Sequence, residues 1–352
     1  MKKKVYILLV NWNGWGDTIE CLESVFRCDF AEFRVIVCDN GSTDGSLEYI
    51  REWAEGNLDT LARNPVLRVF TSPPCPKPVN VNVYEREAAE RIGAAGGDFS
   101  LVLIRNGENL GFAGGNNVGL RYILSRGDAS HIWLLNNDTV IRPDTLRHLV
   151  ARMEERPDAG MCGATLLHYE NPERVQALGG GYYCQWIGLP WHQGRLKKVS
   201  DPVNLECVER WMNYVVGASM LVTRQFVEEV GLMCEDYFLY FEETDWAIRA
   251  KDKYSLAYAP AAVVYHKIGA SIGTSSNPIE KSRTCDYFSI RNRLFFTRRY
   301  YPVALPSVVL VLLGSLIVRA LLGKGDRVRL IWKLLLDMGR MPLEELRLRL
   351  PL

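Results

Sequence analysis

The sequence predicts an α/β protein: a mostly parallel sheet, then a smaller mixed or antiparallel half, then a helical tail. Three observations lead there. Short apolar runs at Val5–Val10, Phe33–Cys38, Leu101–Ile104 and Ile132–Leu135 are too brief for helices and read as strands buried on both faces. Helix-length segments separate several of them, and strand–helix alternation implies parallel pairing with right-handed crossovers. The runs stop in polar clusters, and open α/β sheets bind ligands at the carboxyl ends of their strands.

The totals set bounds. A chain of 352 residues with 48% hydrophobic content has enough apolar material for two units or one large domain with additions. A net charge of +1 gives no bulk attraction to nucleic acid. Nine cysteines fall without a C-x-x-C pair, which argues against a disulfide framework or structural zinc and fits a reducing cytosol. The Lys2-Lys3-Lys4 start leads into an apolar run that ends at Asn11, too short for a signal-peptide core, so it reads as a first strand.

In chain order, Val5–Trp12 is the first strand, closed by Asn11-Trp12-Asn13-Gly14, and a helix over Thr18–Arg27 follows with Asp17 as its cap. The strand Phe33–Cys38 ends in Asp39-Asn40-Gly41-Ser42-Thr43-Asp44-Gly45-Ser46, before a helix over Ser46–Glu55. Residues 71–98 open with Ser72-Pro73-Pro74-Cys75-Pro76-Lys77-Pro78, which no regular element accommodates. They read as a surface insertion carrying a charged helix near Tyr84–Ala94. The sheet resumes at Leu101–Ile104. Asn109-Leu110-Gly111-Phe112-Ala113-Gly114-Gly115-Asn116-Asn117 then leads into a helix ending near Arg126. Its glycines permit close backbone approach to a ligand and its amides are neutral donors and acceptors, but neither standard phosphate-loop pattern is present.

The strand at Ile132 ends in Asn136-Asn137-Asp138. A carboxylate flanked by amides suits a hard divalent cation, Mg²⁺ or Mn²⁺; a plain turn is the alternative. Past residue 158 the expected strands are Gly160–Tyr169, Val208–Val216 and Ser219–Thr223, without long helices between them. The aromatic run Tyr237–Phe241 then delivers Glu242, Glu243 and Asp245 at a helix start. Acids there are ordinary dipole partners, and Asp245 and Arg249 are spaced to pair, whereas burial would raise a carboxylate toward use as a base. Val263–His266 is a short strand ending in histidine, and Asp286–Tyr301 a helix whose Arg291 and Arg293 either face solvent or reach a diphosphate. In the tail, Val303–Val318 is apolar but shorter than the usual span, and Arg327–Leu336 and Leu343–Leu350 alternate basic and leucine positions. That is the form of interfacial helices, with core packing or a homo-oligomer contact as the alternative.

These motifs, in this order, resemble glycosyltransferase family 2 over about residues 4–300, most of all its rhamnosyltransferase-type bacterial members. The resemblance implies an inverting enzyme with a GT-A fold. It divides the chain into a nucleotide-sugar-binding half (1–157, with a mostly parallel Rossmann-like sheet), an acceptor and catalytic half (158–300), and a helical tail (301–352) that touches the membrane through 303–350. It implies that Asn11, Trp12, Asn13, Asp39, Asn40, Ser42, Asp44, Asn109, Gly111, Phe112, Gly114, Asn116, Asn117, Asn136, Asn137, Arg291 and Arg293 bind the donor. Asp138 stands in the place of the family's DxD motif, whose first acid is missing here, and would hold the cation with His266. Phe241-Glu242-Glu243-Thr244-Asp245 stands where the catalytic acids lie; Glu243 aligns with the base, with Glu242 and Asp245 as alternatives. The implied reaction moves a sugar, dTDP-rhamnose favoured as donor, to a glycan or lipid-linked acceptor, in the cytoplasm at the inner face of the cell membrane. Other readings are a nucleotidyltransferase, or a non-catalytic glycan- or lipid-binding protein on a degenerate fold.

Overall fold

The computed structural model describes residues 4–59, 63–92, 97–267 and 282–338. The first half runs β1 (Val5–Asn11), α1 (Trp15–Val25), β2 (Phe33–Asp39), α2 (Ser46–Glu55), β3 (Val81–Glu85), α3 (Arg86–Ile92), β4 (Leu101–Arg105), α4 (Gly111–Arg126) and β5 (His131–Leu135). It continues with β6 (Thr139–Ile141), α5 (Thr145–Glu155), β7 (Ala159–His168), β8 (Val175–Leu178), β9 (Gly180–Cys184), β10 (Leu189–His192), α6 (Leu205–Trp211), β11 (Tyr214–Val215), β12 (Ser219–Thr223) and α7 (Arg224–Val230). The chain then forms α8 (Glu242–Ala250), β13 (Ser255–His266), α9 (Arg283–Tyr300), α10 (Leu305–Leu321) and α11 (Gly325–Met338).

One sheet of ten strands, with the path β3-β4-β2-β1-β5-β12-β7-β13-β6 and β8 paired to β7, spans both halves of the chain. β4, β2, β1 and β5 are parallel, as their apolar runs predict, and β3 adds to β4 in the same sense. β12 enters antiparallel between β5 and β7, and β13 runs parallel to β7. The antiparallel character expected after residue 158 is seen in β12, in the β7–β8 and β13–β6 pairings and in a separate sheet, β10-β9-β11. Ile7, Leu8, Val35, Ile36, Leu103 and Trp133 are wholly buried, and each such side chain contributes about 1.5–3 kcal/mol by leaving water.

Register decides where the site lies. Asn11 pairs with Asp39, and Asp39 with Arg105, so the polar ends of β1, β2 and β4 align. Leu8 pairs with Leu134, which brings the end of β5 to the same edge. Strand order reverses between β1 and β5, the kind of crevice in which α/β sheets bind ligands.

Several expected elements differ: α1 starts at Trp15 with Gly14 at its cap, so Asp17 lies in its first turn, and the short strand expected at Val263–His266 is the end of the twelve-residue β13. The described part of residues 71–98 is built into the fold: Val81–Glu85 adds an edge strand to β4, and the charged helix begins at Arg86 rather than Tyr84. Val208–Val216 is not one strand. Asn204 Oδ1 accepts from the Cys207 N–H at 2.9 Å and starts helix α6, leaving only Tyr214–Val215 extended. Leu343–Leu350 lies outside the described residues.

Candidate active site

At the β1–β2 edge, Asn11 Nδ2 donates to Asp39 Oδ1 at 2.7 Å and to Ser42 Oγ at 3.1 Å. Asp39 Oδ2 accepts from the Ser42 N–H at 3.0 Å, and Asn13 Oδ1 from the Thr43 N–H at 2.7 Å, so the two loops close on each other. Trp12 stands half-buried between them in sequence. Asp44 Oδ1 accepts from the Ser46 N–H and fixes the start of α2. Asn40 Nδ2 donates to the Gly111 carbonyl at 2.9 Å, and Asn109 Oδ1 accepts from the Gly111 N–H at 3.0 Å.

Thr18 carries this network to the next loop. Its hydroxyl donates to Asn11 Oδ1 at 2.8 Å and accepts from Asn137 Nδ2 at 2.9 Å. Beside Asn137, Asp138 Oδ1 lies 3.2 Å from His266 Nε2, and Asn136 Nδ2 is 3.4 Å from that same nitrogen. His266 Nδ1 faces Gln176 Oε1 at 3.0 Å; an amide oxygen only accepts, so Nδ1 donates there and Nε2 is the nitrogen turned to Asp138. Burial alone would raise the Asp138 carboxyl, but His266 and Lys267 outweigh it and hold it below the usual range.

Asp138 Oδ1 is buried and has no hydrogen-bond partner among the described residues. At that separation Asp138 Oδ1 and His266 Nε2 are held together either by a proton on Nε2 or by a metal cation between them. A carboxylate, an imidazole and an amide form a donor set that a divalent ion accepts, so the residues fit one. Among the described residues no cluster of three or more His, Cys, Asp or Glu forms a complete cage, so an ion held there would need further ligands.

The acids of α8 reach this edge through Gly217. The Asn136 N–H donates to the Ala218 carbonyl at 3.0 Å, which fixes the 217–218 turn beside the Asn136–Asp138 loop. A methyl group on Gly217 would stand 3.5 Å from Phe112 Cζ and 3.9 Å from the carboxyl carbon of Glu243. Phe238, Tyr240 and Phe241 all have positive φ, a conformation that side chains with Cβ rarely adopt and that concentrates at functional sites. Burial pushes Glu243 up to about 7. Glu242 is driven well above the carboxylate range, first by burial and then by Glu243, and its Oε1 has no hydrogen-bond partner among the described residues. Tyr214, whose buried hydroxyl has no hydrogen-bond partner among the described residues, is driven up first by burial and then by the Glu243 charge. Its ring lies 6.3 Å from His192, whose pKa falls to about 4 through burial and then the charges of Arg195 and His266.

The comparisons bear on this arrangement. The family profile described as Glycosyl transferase family 2 matches residues 6–73 and 84–212, more than half of the chain. The chain belongs to glycosyl transferase family 2. It is 22% identical over 236 residues to the low-salt glycan biosynthesis hexosyltransferase Agl10 of Haloferax volcanii, covering 63% of this chain and 69% of that protein. It is 26% identical over 184 residues to an N-acetylglucosaminyl-diphospho-decaprenol L-rhamnosyltransferase of Mycobacterium tuberculosis, covering 49% and 60%. It is 25% identical over 216 residues to the dTDP-rhamnosyl transferase RfbF of Shigella flexneri, covering 58% and 66%. Among solved structures, a mannosyltransferase of Pyrobaculum calidifontis, in complex with GDP-Man and Mn²⁺, matches with a TM-score of 0.50 at 16% identity, over 98% of this chain and 85% of that one. The fold is the GT-A fold of the family.

Some residues assigned to the family's site by resemblance do other work. Asp245 is fully buried; Arg249 Nε donates to it at 2.8 Å, Tyr300 OH at 2.6 Å and Tyr237 OH at 3.1 Å. Its carboxylate is thus committed to structure, the pairing its spacing to Arg249 allows. Arg291 is buried and donates to the Asp236 carbonyl, and the buried Arg293 guanidinium donates to the Ile187 carbonyl. Both thus hold backbone that supports the acids or the β9–β10 hairpin, and the buried Arg293 Nε has no hydrogen-bond partner among the described residues. Asn117 likewise grips Met233 and Glu235, and Asn116 donates to the Phe112 carbonyl. Gly114 packs against the Leu110 side chain.

Other contributors were not foreseen from the sequence: Thr18, Gln176, Tyr214, Gly217 and Lys267. Lys267 Nζ pairs with Asp17 at 2.6 Å and Glu20 at 2.5 Å, and its N–H donates to the Asp138 carbonyl at 3.0 Å. A cavity of about 600 Å³ lies along the flank of α8, lined by Thr244, Ile248, Lys251, Arg210, Tyr183 and Phe296 among others. Neither Asp138 nor Glu243 lines it, and the orphaned polar atoms locate the chemistry better than that volume does.

Proposed function

We propose that this glycosyltransferase inverts the anomeric centre of a nucleotide-linked sugar, dTDP-rhamnose in the favoured reading, while moving it to a hydroxyl of a glycan or lipid-linked acceptor. One observation carries the proposal: Glu243, with its pKa raised to about 7, stands across Gly217 from Phe112, beside the loop that bears Asp138. The names of the Mycobacterium and Shigella relatives support rhamnose, and the second of them dTDP. The Mn²⁺ in the Pyrobaculum mannosyltransferase supports a divalent ion.

A sugar hydroxyl is a poor nucleophile at neutral pH, so a positioned base must take its proton. Glu243 does so once ionised, because a base with a pKa near the working pH combines availability with driving force. Glu242, held neutral by burial, leaves Glu243 the ionising member of the pair. The Asn11–Asp39–Ser42 loop and the Gly111–Phe112 turn form the donor pocket wall, aligned by strand register. Asp138 and His266, with Asn136 adjacent, would hold Mg²⁺ or Mn²⁺. The ion supplies a Lewis acid for the charge that gathers on the departing diphosphate. Gln176 orients His266, and Lys267 places the Asp138 backbone. The apolar α10 supports action at the inner face of the membrane, with the tail in peripheral contact.

The experiment is a screen of nucleotide sugars for thermal stabilisation with and without Mn²⁺, followed by transfer assays with the best donor. Stabilisation by dTDP-rhamnose beyond dTDP alone, and product of inverted configuration, are the expected results. Stabilisation without turnover on any glycan acceptor would favour a binding protein, the reading that the missing first DxD acid supports.

A further inference from the structure

The β9–β10 hairpin carries an unusually apolar surface. Antiparallel pairing sets Leu189 opposite Cys184 and Trp191 opposite Tyr182, so Tyr182, Leu189 and Trp191 share one face. Trp191 is 60% exposed and Trp186, at the tip, 53%. Contiguous apolar exposure of this kind marks an interaction site.

The tip is seated on α10. Ser307 Oγ donates to the Trp186 carbonyl at 2.7 Å, and a methyl group on Gly188 would stand 3.1 Å from Val308. On a helix of 3.6 residues per turn, Ser307 shares a face with Val303, Leu310, Val311 and Gly314. Val303 and Leu310 are 82% and 68% exposed, and Ile317 and Leu321 continue the stripe. Hairpin and helix stripe are therefore adjoining parts of one surface. Pro302–Leu321, 20 residues with mean hydropathy 2.2, is the one segment among the described residues long and apolar enough to cross a membrane, and only 22% of its apolar window is buried by the fold. Val308, Leu312 and Leu316 are nevertheless packed with Ile331 and Leu334, which ties one side of α10 to the protein.

Cations border the surface. Arg195 and Lys198 are exposed beside exposed Leu196 and Val199, and α11 presents Arg329, Trp332, Lys333 and Leu336 at helical spacing. Tryptophan and leucine flanked by lysine and arginine match the interface of an anionic bilayer. A second copy of the chain would set these like charges against each other across a two-fold axis.

We propose that the β9–β10 hairpin and α10 together form a membrane-docking surface, with Trp186 and Trp191 entering the headgroup layer of an anionic bilayer as a second point of contact beside the tail. Two contacts fix the protein's orientation on the membrane, where one helix would leave it free to swivel. The inference deepens the reading of a lipid-linked acceptor, but it is measured without donor or acceptor, so its failure leaves the transfer reading standing.

The test is co-sedimentation of the full chain with vesicles of equal parts phosphatidylcholine and phosphatidylglycerol, and with phosphatidylcholine alone. Preference for the anionic vesicles is expected, and Trp186→Ser with Trp191→Ser should lower partitioning about tenfold while Mn²⁺ binding is unchanged. Brominated lipids should quench the fluorescence of the unaltered protein more than that of the variant. Ile317→Ser with Leu321→Ser should weaken binding comparably. Equal partitioning and quenching of the hairpin variant would overturn the proposal. So would a protein that ignores vesicles and sediments as a dimer that the hairpin substitutions dissociate.

Discussion

Asp138 Oδ1 and His266 Nε2 face each other at 3.2 Å, one at the end of β5's loop and the other at the last residue of β13. No hydrogen bond satisfies the buried oxygen among the described residues. A pair so placed fits the proposed reading in which these two residues would hold a divalent ion together with further ligands.

Asp138→Asn should therefore weaken Mn²⁺ binding, read by electron paramagnetic resonance with nucleoside diphosphate present, by at least about tenfold. His266→Ala should act in the same direction. An unchanged metal titration in both variants would remove these residues from that role.

Gln176 touches the site only through His266 Nδ1. Gln176→Leu should lower Mn²⁺ affinity about 10- to 100-fold, and Gln176→Glu should retain it, because a carboxylate still accepts the Nδ1 proton. Equal loss in both variants would point to simple unfolding, which a melting curve detects.

Gly111 has φ +72, and a Cβ there would meet the Phe238 carbonyl oxygen at 2.3 Å. The Phe112 N–H donates to that same oxygen at 2.7 Å, which ties the Gly111 turn to the strained run before the acids. Gly111→Ala should cost about 1–3 kcal/mol in denaturant unfolding and disturb the acids as well. A variant as stable and active as the parent would show that the approach is less close.

Glu243 also links activity to stability. The folded protein holds its proton to about pH 7, against a usual value of 4.5, so ionisation between those values costs the folded state stability. Glu243→Gln should raise the melting temperature at pH 8 and leave it nearly unchanged at pH 4. The opposite pattern would place the carboxylate in a stabilising ion pair.

Much of the parallel sheet could be read from the sequence, because four apolar runs with polar ends have few other solutions. Ser46–Glu55 and Ser219–Thr223 match their observed bounds. β3 was legible in the alternation Val79-Asn80-Val81-Asn82-Val83, but the neighbouring prolines and charges drew the reading toward an insertion with a helix. α6 was missed because Val208–Val216 is rich in strand-forming residues, while its start is set by the Asn204 cap. The motif residues Asn11, Asp39, Asn137 and Asp138 are joined at one edge through Thr18, which carried no motif of its own. Arg291, Arg293 and Asp245 could not be separated from binding groups by sequence. Only tertiary contacts show that Arg291 and Arg293 also hold backbone carbonyls and that Arg249 and two tyrosines take up Asp245.

The most direct test is single-turnover transfer by Glu243→Gln across pH 5–9, with donor binding measured in parallel. The parent enzyme's rate should rise as pH passes about 7, while the variant binds donor with unchanged affinity and transfers at least about 10³-fold more slowly at every pH. A variant that transfers at the parent's rate, with the same rise through pH 7, would contradict the assignment of the base and the account of the cleft built on it.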